Sequence, residues 1–294
     1  MTALVDLPEA PGIEWYLEAL RREGGLLVEA FTGADLDASV PTCPEWNLRE
    51  LGRHVGRVHR WAAAHVRDQL AGPMSAAEEQ RAWGAMPDDD VLGAWLAEGH
   101  QALVETLARA DPELACWAFL PAASPLAFWA RRQAHETAIH RVDAQTAAGL
   151  AASIDALAVA EAAASTDPMT LAGRAVSTEV TSVGQAAVTT AFAVDGIDEL
   201  LLGFFARPRN RVRSDEPRTM AIIAEDADAS WFIQIGPDGA RPERGSGPAD
   251  TTVRATASEL YLGLWNRIQL DQLSWTGEAS GLTLWRTLAT VRWS

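Results

Sequence analysis

His135-Glu136-Thr137-Ala138-Ile139-His140, set in an alanine-rich stretch, decides how the first half of the chain is read. Glu136 and His140 stand four residues apart, so on a helix both project from one face, one turn above the other. The same line runs back to Gln133 and Trp129 and forward to Asp143. A row of polar groups along one face of an alanine-rich helix is unusual for packing alone. Ser124 as N-cap with Pro125 at the first helical position marks the start of this helix. It is expected to run to about Gly149, because glycine is common just past a helix end.

Three more amphipathic helices precede it. The first follows Pro11-Gly12 and carries Ile13, Leu17, Leu20, Leu27 and Phe31 at helical spacings, with Gly24-Gly25 as a weak point. Asn47 with Glu50 fits a capping box opening the second helix, whose buried stripe is Leu48, Leu51, Val55, Val58 and Ala62. The third follows Pro87 and the acidic turn Asp88-Asp89-Asp90, which suits a helix N-terminus.

His54 lies three residues beyond Leu51 and four before Val58, on or beside that stripe. His54, Glu136 and His140 therefore offer two imidazoles and one carboxylate from two packed helices. Three protein ligands with an open position describe catalytic rather than structural zinc, and bundle interiors are a known place for such sites. The blander reading is that Glu/His pairs at this spacing are frequent on solvated faces, and that a lone histidine on an apolar stripe is more often a hydrogen-bonded core residue. His59, His65, His100 and His135 read as surface or packing residues. Arg141 and Asp143 read as salt-bridging or supporting groups rather than ligands. Arg132 and Arg141 are each expected to point about 100° away from the neighbouring ligand. Cys43, in a Pro-flanked loop, reads as a small packed hydrophobe rather than a nucleophile.

Beyond the bundle the sequence divides into a variable stretch and a second domain. The expected organisation is a metal-binding helical bundle over residues 1–150, an insertion or linker of uncertain structure over 151–190, and a C-terminal α+β domain over 191–294. The middle stretch is rich in Ala, Ser, Thr and Val and reads as a linker, an extra helix or a mobile insertion. Asp198 to Phe205 reads as a short helix. Trp231-Phe232-Ile233-Gln234-Ile235 reads as a strand ending at the turn Gly236-Pro237-Asp238-Gly239, and Thr251 to Thr256 as a second strand. Ser258 is expected to cap a helix carrying Leu260, Leu264 and Ile268 on one face.

Composition narrows the function classes. The chain has 294 residues, 48% of them hydrophobic, and a net charge of −16 from 24 basic and 40 acidic side chains. Such a charge repels phosphate backbones and anionic lipids, so neither nucleic acid nor a membrane is expected as a partner. No apolar run reaches the ~20 residues of a membrane span. Met1 to Pro11 has no basic residue and does not read as a secretory signal. Cys43 and Cys116 cannot form a disulfide framework, and the cytoplasm is the expected compartment.

Two stretches carry a resemblance. Val40-Pro41-Thr42-Cys43-Pro44-Glu45-Trp46-Asn47-Leu48-Arg49-Glu50-Leu51, followed by His54-Val55-Gly56, resembles the N-terminal signature of the mycothiol-dependent maleylpyruvate isomerase family. Arg132-Gln133-Ala134-His135-Glu136-Thr137-Ala138-Ile139-His140-Arg141-Val142-Asp143-Ala144 resembles its second signature. The resemblance implies an α plus α/β two-domain fold with an N-terminal DinB-like four-helix bundle and a small C-terminal mixed α+β domain. It also implies a metal, usually Zn2+, held by His54, Glu136 and His140. Ala193-Val194-Asp195-Gly196-Ile197-Asp198-Glu199-Leu200 looks like the entry to the second domain. Ala257-Ser258-Glu259-Leu260-Tyr261-Leu262-Gly263-Leu264-Trp265-Asn266-Arg267 looks like its helix, similar to those of sterol-carrier-like domains. The stretch around 150–190 has no counterpart in the resemblance.

What the resemblance implies is an enzyme, an isomerase or S-transferase, using mycothiol, the low-molecular-weight thiol of actinobacteria, as cosubstrate with a small electrophile. Arg267, by its position in the matching helix, is nominated to hold a substrate carboxylate; the alternative is a helix-end arginine satisfying carbonyls. The competing class is a non-catalytic metal-containing module carrying a small or apolar ligand, its pocket lined by tryptophans such as Trp265, Trp275, Trp285 and Trp293. A zinc-sensing regulator lacks the cysteine spacing it would need.

Overall fold

A computed structural model describes residues 11–164, 187–208 and 210–291. Contacts divide the chain into two compact units, Met1–Thr32 with Arg49–Arg141, and Gly33–Leu48 with Val142–Ser294.

The first unit is helical. Its elements are α1 (Ile13–Ala30), α2 (Leu48–Arg67), a short α3 (Ala76–Trp83), α4 (Leu92–Arg109) and the start of α5 (Pro125–Ala164). Leu17, Leu20 and Leu27 of α1, Leu51 and Val55 of α2, Leu96 and Leu103 of α4, and Trp129 of α5 are buried. Each such large apolar side chain contributes on the order of 1.5–3 kcal/mol. Ser124 caps α5, its hydroxyl accepting from Ala127 N at 3.1 Å. A 3-10 turn, Asp89–Val91, leads into α4. Its Asp89 has a further role besides facing a helix N-terminus: both of its oxygens accept from Arg49 Nε at 2.8 Å, and Arg53 Nη2 lies 3.3 Å away, so it ties this turn to α2.

Helix α5 does not end near Gly149. It continues to Ala164, because the alanine-rich sequence beyond the glycine keeps a high helix propensity. Residues 151–164 of the expected linker are therefore helix, and the rest of that expectation, to residue 186, falls outside the described residues.

The Gly24-Gly25 pair has a packing explanation for its first member. A Cβ on Gly24 would lie 2.0 Å from Nε2 of His100, while one on Gly25 would meet nothing within 4 Å. The His100 ring occupies the notch, with Nε2 3.0 Å from Leu20 O. Gly24→Ala is expected to destabilise the protein by about 1–3 kcal/mol through overpacking. That outweighs the ~1 kcal/mol helix gain of alanine over glycine. Gly25→Ala is expected to stabilise it by about 0.4–1 kcal/mol. Urea unfolding of the two variants measures both, and a stabilised Gly24→Ala would remove His100 from this account.

The second unit holds α6 (Thr190–Asp198), which passes into a π-helical stretch, Glu199–Phe205. It also holds the strands β1 (Arg218–Ala224), β2 (Ala229–Gly236), β3 (Gly239–Arg244), β4 (Thr251–Ala255) and β5 (Ser274–Gly277), with α7 (Ala257–Leu264) and α8 (Ser280–Leu288). The sheet order is β3-β2-β1-β4-β5, with β1 and β4 parallel and the other pairs antiparallel. Its core gathers Met220, Ile222, Trp231, Ile233, Val253, Tyr261, Leu264 and Trp285. Gly239, at φ +120, opens β3 after the hairpin turn, a conformation that suits glycine.

Helix α7 differs from its expected form at both ends. Its cap is Thr256, not Ser258: Thr256 Oγ1 accepts from Glu259 N and Glu259 Oε2 accepts from Thr256 N at 3.0 Å, a reciprocal box. Ser258 Oγ instead accepts from Val188 N at 3.1 Å. The helix stops at Leu264, where Asn266 turns left-handed at φ +60 and Arg267 N donates to Leu262 O at 2.8 Å. Arg267 and Ile268 therefore lie beyond the helix rather than on it. The architecture is a helical bundle followed in sequence by a small mixed α+β domain. Among the described residues no helix is long and apolar enough to cross a membrane.

Candidate metal centre

Helices α2 and α5 bring His54, Glu136 and His140 together, with one ligand atom from each within 4.8 Å of the others. Glu136 Oε1 lies 3.5 Å from His54 Nε2 and 3.3 Å from His140 Nε2. It is buried and, among the described residues, accepts no hydrogen bond. The two rings meet edge to face, centroids 5.1 Å apart at 75°. A tetrahedral cation with bonds of 2.0–2.1 Å sets neighbouring ligand atoms about 3.3 Å apart. The observed separations, the borderline N/O donor set and a buried carboxylate oxygen aimed at two ring nitrogens all fit a divalent metal. The His54 side chain is 14% exposed and that of Glu136 5%, so the open side of the cluster lies toward His54.

Arg132 fixes the carboxylate from behind. Its Nη2 donates to Glu136 Oε2 at 2.7 Å, and its side chain is 1% exposed. This corrects the expectation that Arg132 points away. It stands four residues before Glu136, on the same helix face, and that spacing was legible in the sequence. Arg141 does turn elsewhere, its Nε donating to the buried Glu23 of α1 at 2.9 Å.

Electrostatics suit ligand duty. Burial lowers the pKa of His54, with Glu136 opposing, so its ring is held neutral and its nitrogen available. Burial alone would raise the pKa of Glu136. The facing imidazoles of His140 and His54 and the charge of Arg132 outweigh it and hold the carboxyl well below its usual range.

Of the four histidines read as surface or packing residues, His59, His65 and His135 are fully buried. His65 stacks on Trp129 at 4.9 Å with Nδ1 3.0 Å from Trp61 O, a packing role. His59 Nε2 lies 2.9 Å from Thr137 Oγ1, a link between α2 and α5 that spacing did not reveal.

Arg267 belongs to the second unit, where it forms a fork with the buried Asp143. Nε donates to Oδ1 at 2.9 Å and Nη2 to Oδ2 at 2.6 Å. Nη1 donates to Trp265 O at 2.8 Å, and Thr42 Oγ1 donates to Asp143 Oδ1 at 2.5 Å. Cys43 Sγ is 4.0 Å from Asp143 Oδ2, a weak contact. Arg267 also lines a cleft of about 860 Å³ in this unit, together with Thr42, Asn266, Trp275 and Arg286.

The model of the mycothiol maleylpyruvate isomerase N-terminal domain matches residues 17–145. That of the MDMPI C-terminal domain matches residues 191–283. A crystal structure of the mycothiol-dependent maleylpyruvate isomerase is similar at 12% identity and a TM-score of 0.51, over 90% of this chain and 91% of that one. A crystal structure of a histidine-to-alanine mutant of the mycothiol-dependent maleylpyruvate isomerase is similar at 13% identity and a TM-score of 0.54, over 95% and 97%. At such identities the likeness is one of fold. A search of curated proteins by sequence found no match. The first matched region contains His54, Glu136 and His140 and the second contains Arg267, and with both domains matched in order the chain belongs to the mycothiol-dependent maleylpyruvate isomerase family.

Proposed function

We propose that this chain is a metal-dependent enzyme that uses mycothiol, or another small thiol, to isomerise or S-conjugate a small electrophile. The observation that carries the reading is the cluster of His54 Nε2, Glu136 Oε1 and His140 Nε2 at the spacing of one cation's ligands. Those three atoms would hold a divalent metal, zinc being the best match to the donor set. When bound, such an ion stabilises a thiolate where the free thiol would be mostly protonated near neutral pH. The chain's own charges favour an anion there. Glu136 brings one negative charge and Arg132 on its far oxygen offsets it, so the protein leaves a cation's charge to be balanced from solution.

The thiolate then attacks an electrophilic carbon. In isomerisation a C–S bond forms at a cis double bond while the π electrons move onto a conjugated carbonyl. The resulting single bond rotates, the electrons return, and the C–S bond breaks to give the trans product and the unchanged thiol. In S-conjugation the C–S bond remains and a proton ends on the neighbouring carbon. Arg267 is the proposed partner of a substrate carboxylate. What supports it is a guanidinium fixed by Asp143 at the wall of a cleft. The Nη1 contact with Trp265 O favours the helix-end alternative.

The alternative module reading, a carrier of a small or apolar ligand, draws less support. Of the tryptophans that would line its pocket, Trp265 and Trp285 are packed in the core. Trp275 borders the cleft that Arg267 lines, and Trp293 lies outside the described residues.

The zinc-loaded protein with mycothiol and a panel of electrophiles, followed by mass spectrometry, tests the proposal. Conversion should stop with a chelator. Thiol consumption identifies conjugation, and turnover at constant thiol identifies isomerisation. A metal-loaded protein inert across the panel would favour the carrier reading.

A further inference from the structure

His59 is wholly buried in the bundle, yet it is not an apolar residue. Its Nδ1 has no hydrogen-bond partner among the described residues. A buried polar atom left so costs about 1–3 kcal/mol, which an apolar side chain of similar size would avoid. The one hydrogen bond it does make is directional and well placed: Nε2 to Thr137 Oγ1 at 2.9 Å. His59 stands five residues after His54 on α2, and Thr137 stands between Glu136 and His140 on α5. The bond therefore joins the two helices that carry the candidate ligands, within about two turns of each.

The contact extends across the bundle. The His59 ring leans on His100 of α4, centroids 5.7 Å apart. His100 Nε2 lies 3.0 Å from Leu20 O of α1, in the notch that Gly24 leaves open. One line of polar groups thus runs from α1 through α4 and α2 to α5.

We propose that His59 is a positioning residue for the metal: through Thr137 it holds α2 and α5 at the spacing that brings His54 Nε2 to Glu136 Oε1. The inference rests on the metal-site reading above. Its physical basis is a narrow tolerance. Two ligands with bonds of 2.0–2.1 Å cannot stand more than about 4.2 Å apart. From the present 3.5 Å, moving the helices about 1 Å apart along the line between His54 and Glu136 takes the pair beyond a shared ion.

The test measures zinc affinity of the full, metal-stripped chain by competition with a chromophoric chelator, beside thermal unfolding of the same metal-free proteins. His59→Leu is expected to weaken zinc binding roughly 10–100-fold, as loss of a partner behind a ligand does. Its metal-free melting temperature should stay near that of the wild type, because the unpaired ring nitrogen is gone while the Thr137 hydroxyl loses this bond. His59→Gln, which can set an amide nitrogen toward Thr137, should recover most of the affinity. Thr137→Val removes the same bond from the other side and should reproduce the loss, which keeps the test decisive if His59→Leu does not fold. Wild-type affinity in His59→Leu or in Thr137→Val overturns the positioning role. Equal losses in the leucine and glutamine variants, tracking lost stability, overturn it as well. If wild type itself binds no zinc, or binds no better than His54→Ala, the metal-site reading fails and this inference with it.

Discussion

Replacing His54 by alanine and replacing Glu136 by glutamine are both expected to strip zinc from the protein, but to move the stability of the metal-free chain in different ways. Each change removes one of the three proposed ligands. The affinity loss should exceed about 100-fold, since even partners behind the ligands are worth about 10–100-fold. Metal content by elemental analysis should fall to background in both, and metal-dependent turnover with it. The metal-free melts separate the two roles. His54 sits toward the open side of the cluster, and its imidazole meets Glu136 at 3.5 Å, a longer contact than the one Glu136 makes with Arg132, so its loss takes less from Glu136. Glu136 is the carboxylate that Arg132 holds at 2.7 Å in a nearly closed environment. Glutamine there removes the carboxylate charge that this buried guanidinium holds, a change worth up to about 3–5 kcal/mol. Zinc retained by either variant would end the three-ligand assignment. Equal metal-free stability would show that Arg132 does not depend on Glu136.

The site was more legible in the sequence than the ground behind it. Glu136 and His140 declare themselves by a spacing of four, and His54 by its place on an apolar stripe, because helical geometry converts both into direction without tertiary information. Arg132 obeys the same spacing, and only a misjudged angle hid it. His59 and Thr137 had no such signal. Which buried histidine meets which hydroxyl depends on how two helices are set against each other, and no single-helix pattern encodes that.

The second domain shows the same divide. β2 alternates, and both β2 and β4 lie where the sequence places strands. β1 is a central strand whose Met220, Ala221 and Ile222 are buried in succession, so alternation is lost. Thr256 with Glu259 forms the capping box, two residues before the cap expected at Ser258, and a left-handed Asn266 ends the helix four residues earlier than its apolar pattern suggests. Such endings depend on backbone turns that hydrophobic periodicity does not record.

Replacing Arg267 by alanine is expected to lower turnover, and the structure requires that its stability cost be separated from any catalytic one. Asp143 is fully buried and Arg267 is 13% exposed at the side chain, and the pair is a two-bond fork. Removing the cation alone takes the two-bond fork from a buried carboxylate that Thr42 also contacts, at a cost of up to about 3–5 kcal/mol. A loss of activity in Arg267→Ala would therefore not by itself identify a substrate-binding group. Arg267→Lys keeps a charge beside Asp143 but loses the planar fork, and should recover part of the stability. The decisive variant removes both charges, Arg267→Met with Asp143→Leu, since replacing a whole buried pair by apolar residues is often neutral or stabilising. Metal content should stay at the wild-type level in all three, because none of these side chains belongs to the proposed ligand set. If Arg267 binds the substrate's carboxylate, the stable double variant still loses about 1.5–3 kcal/mol of turnover, roughly 10- to 150-fold. Chemical denaturation gives the stability, and steady-state kinetics with the electrophile found in the panel gives the rest. Full turnover in a stable double variant would assign Arg267 to the structure of its loop, where its contact with Trp265 O already engages it, and would leave the substrate's anion to another group.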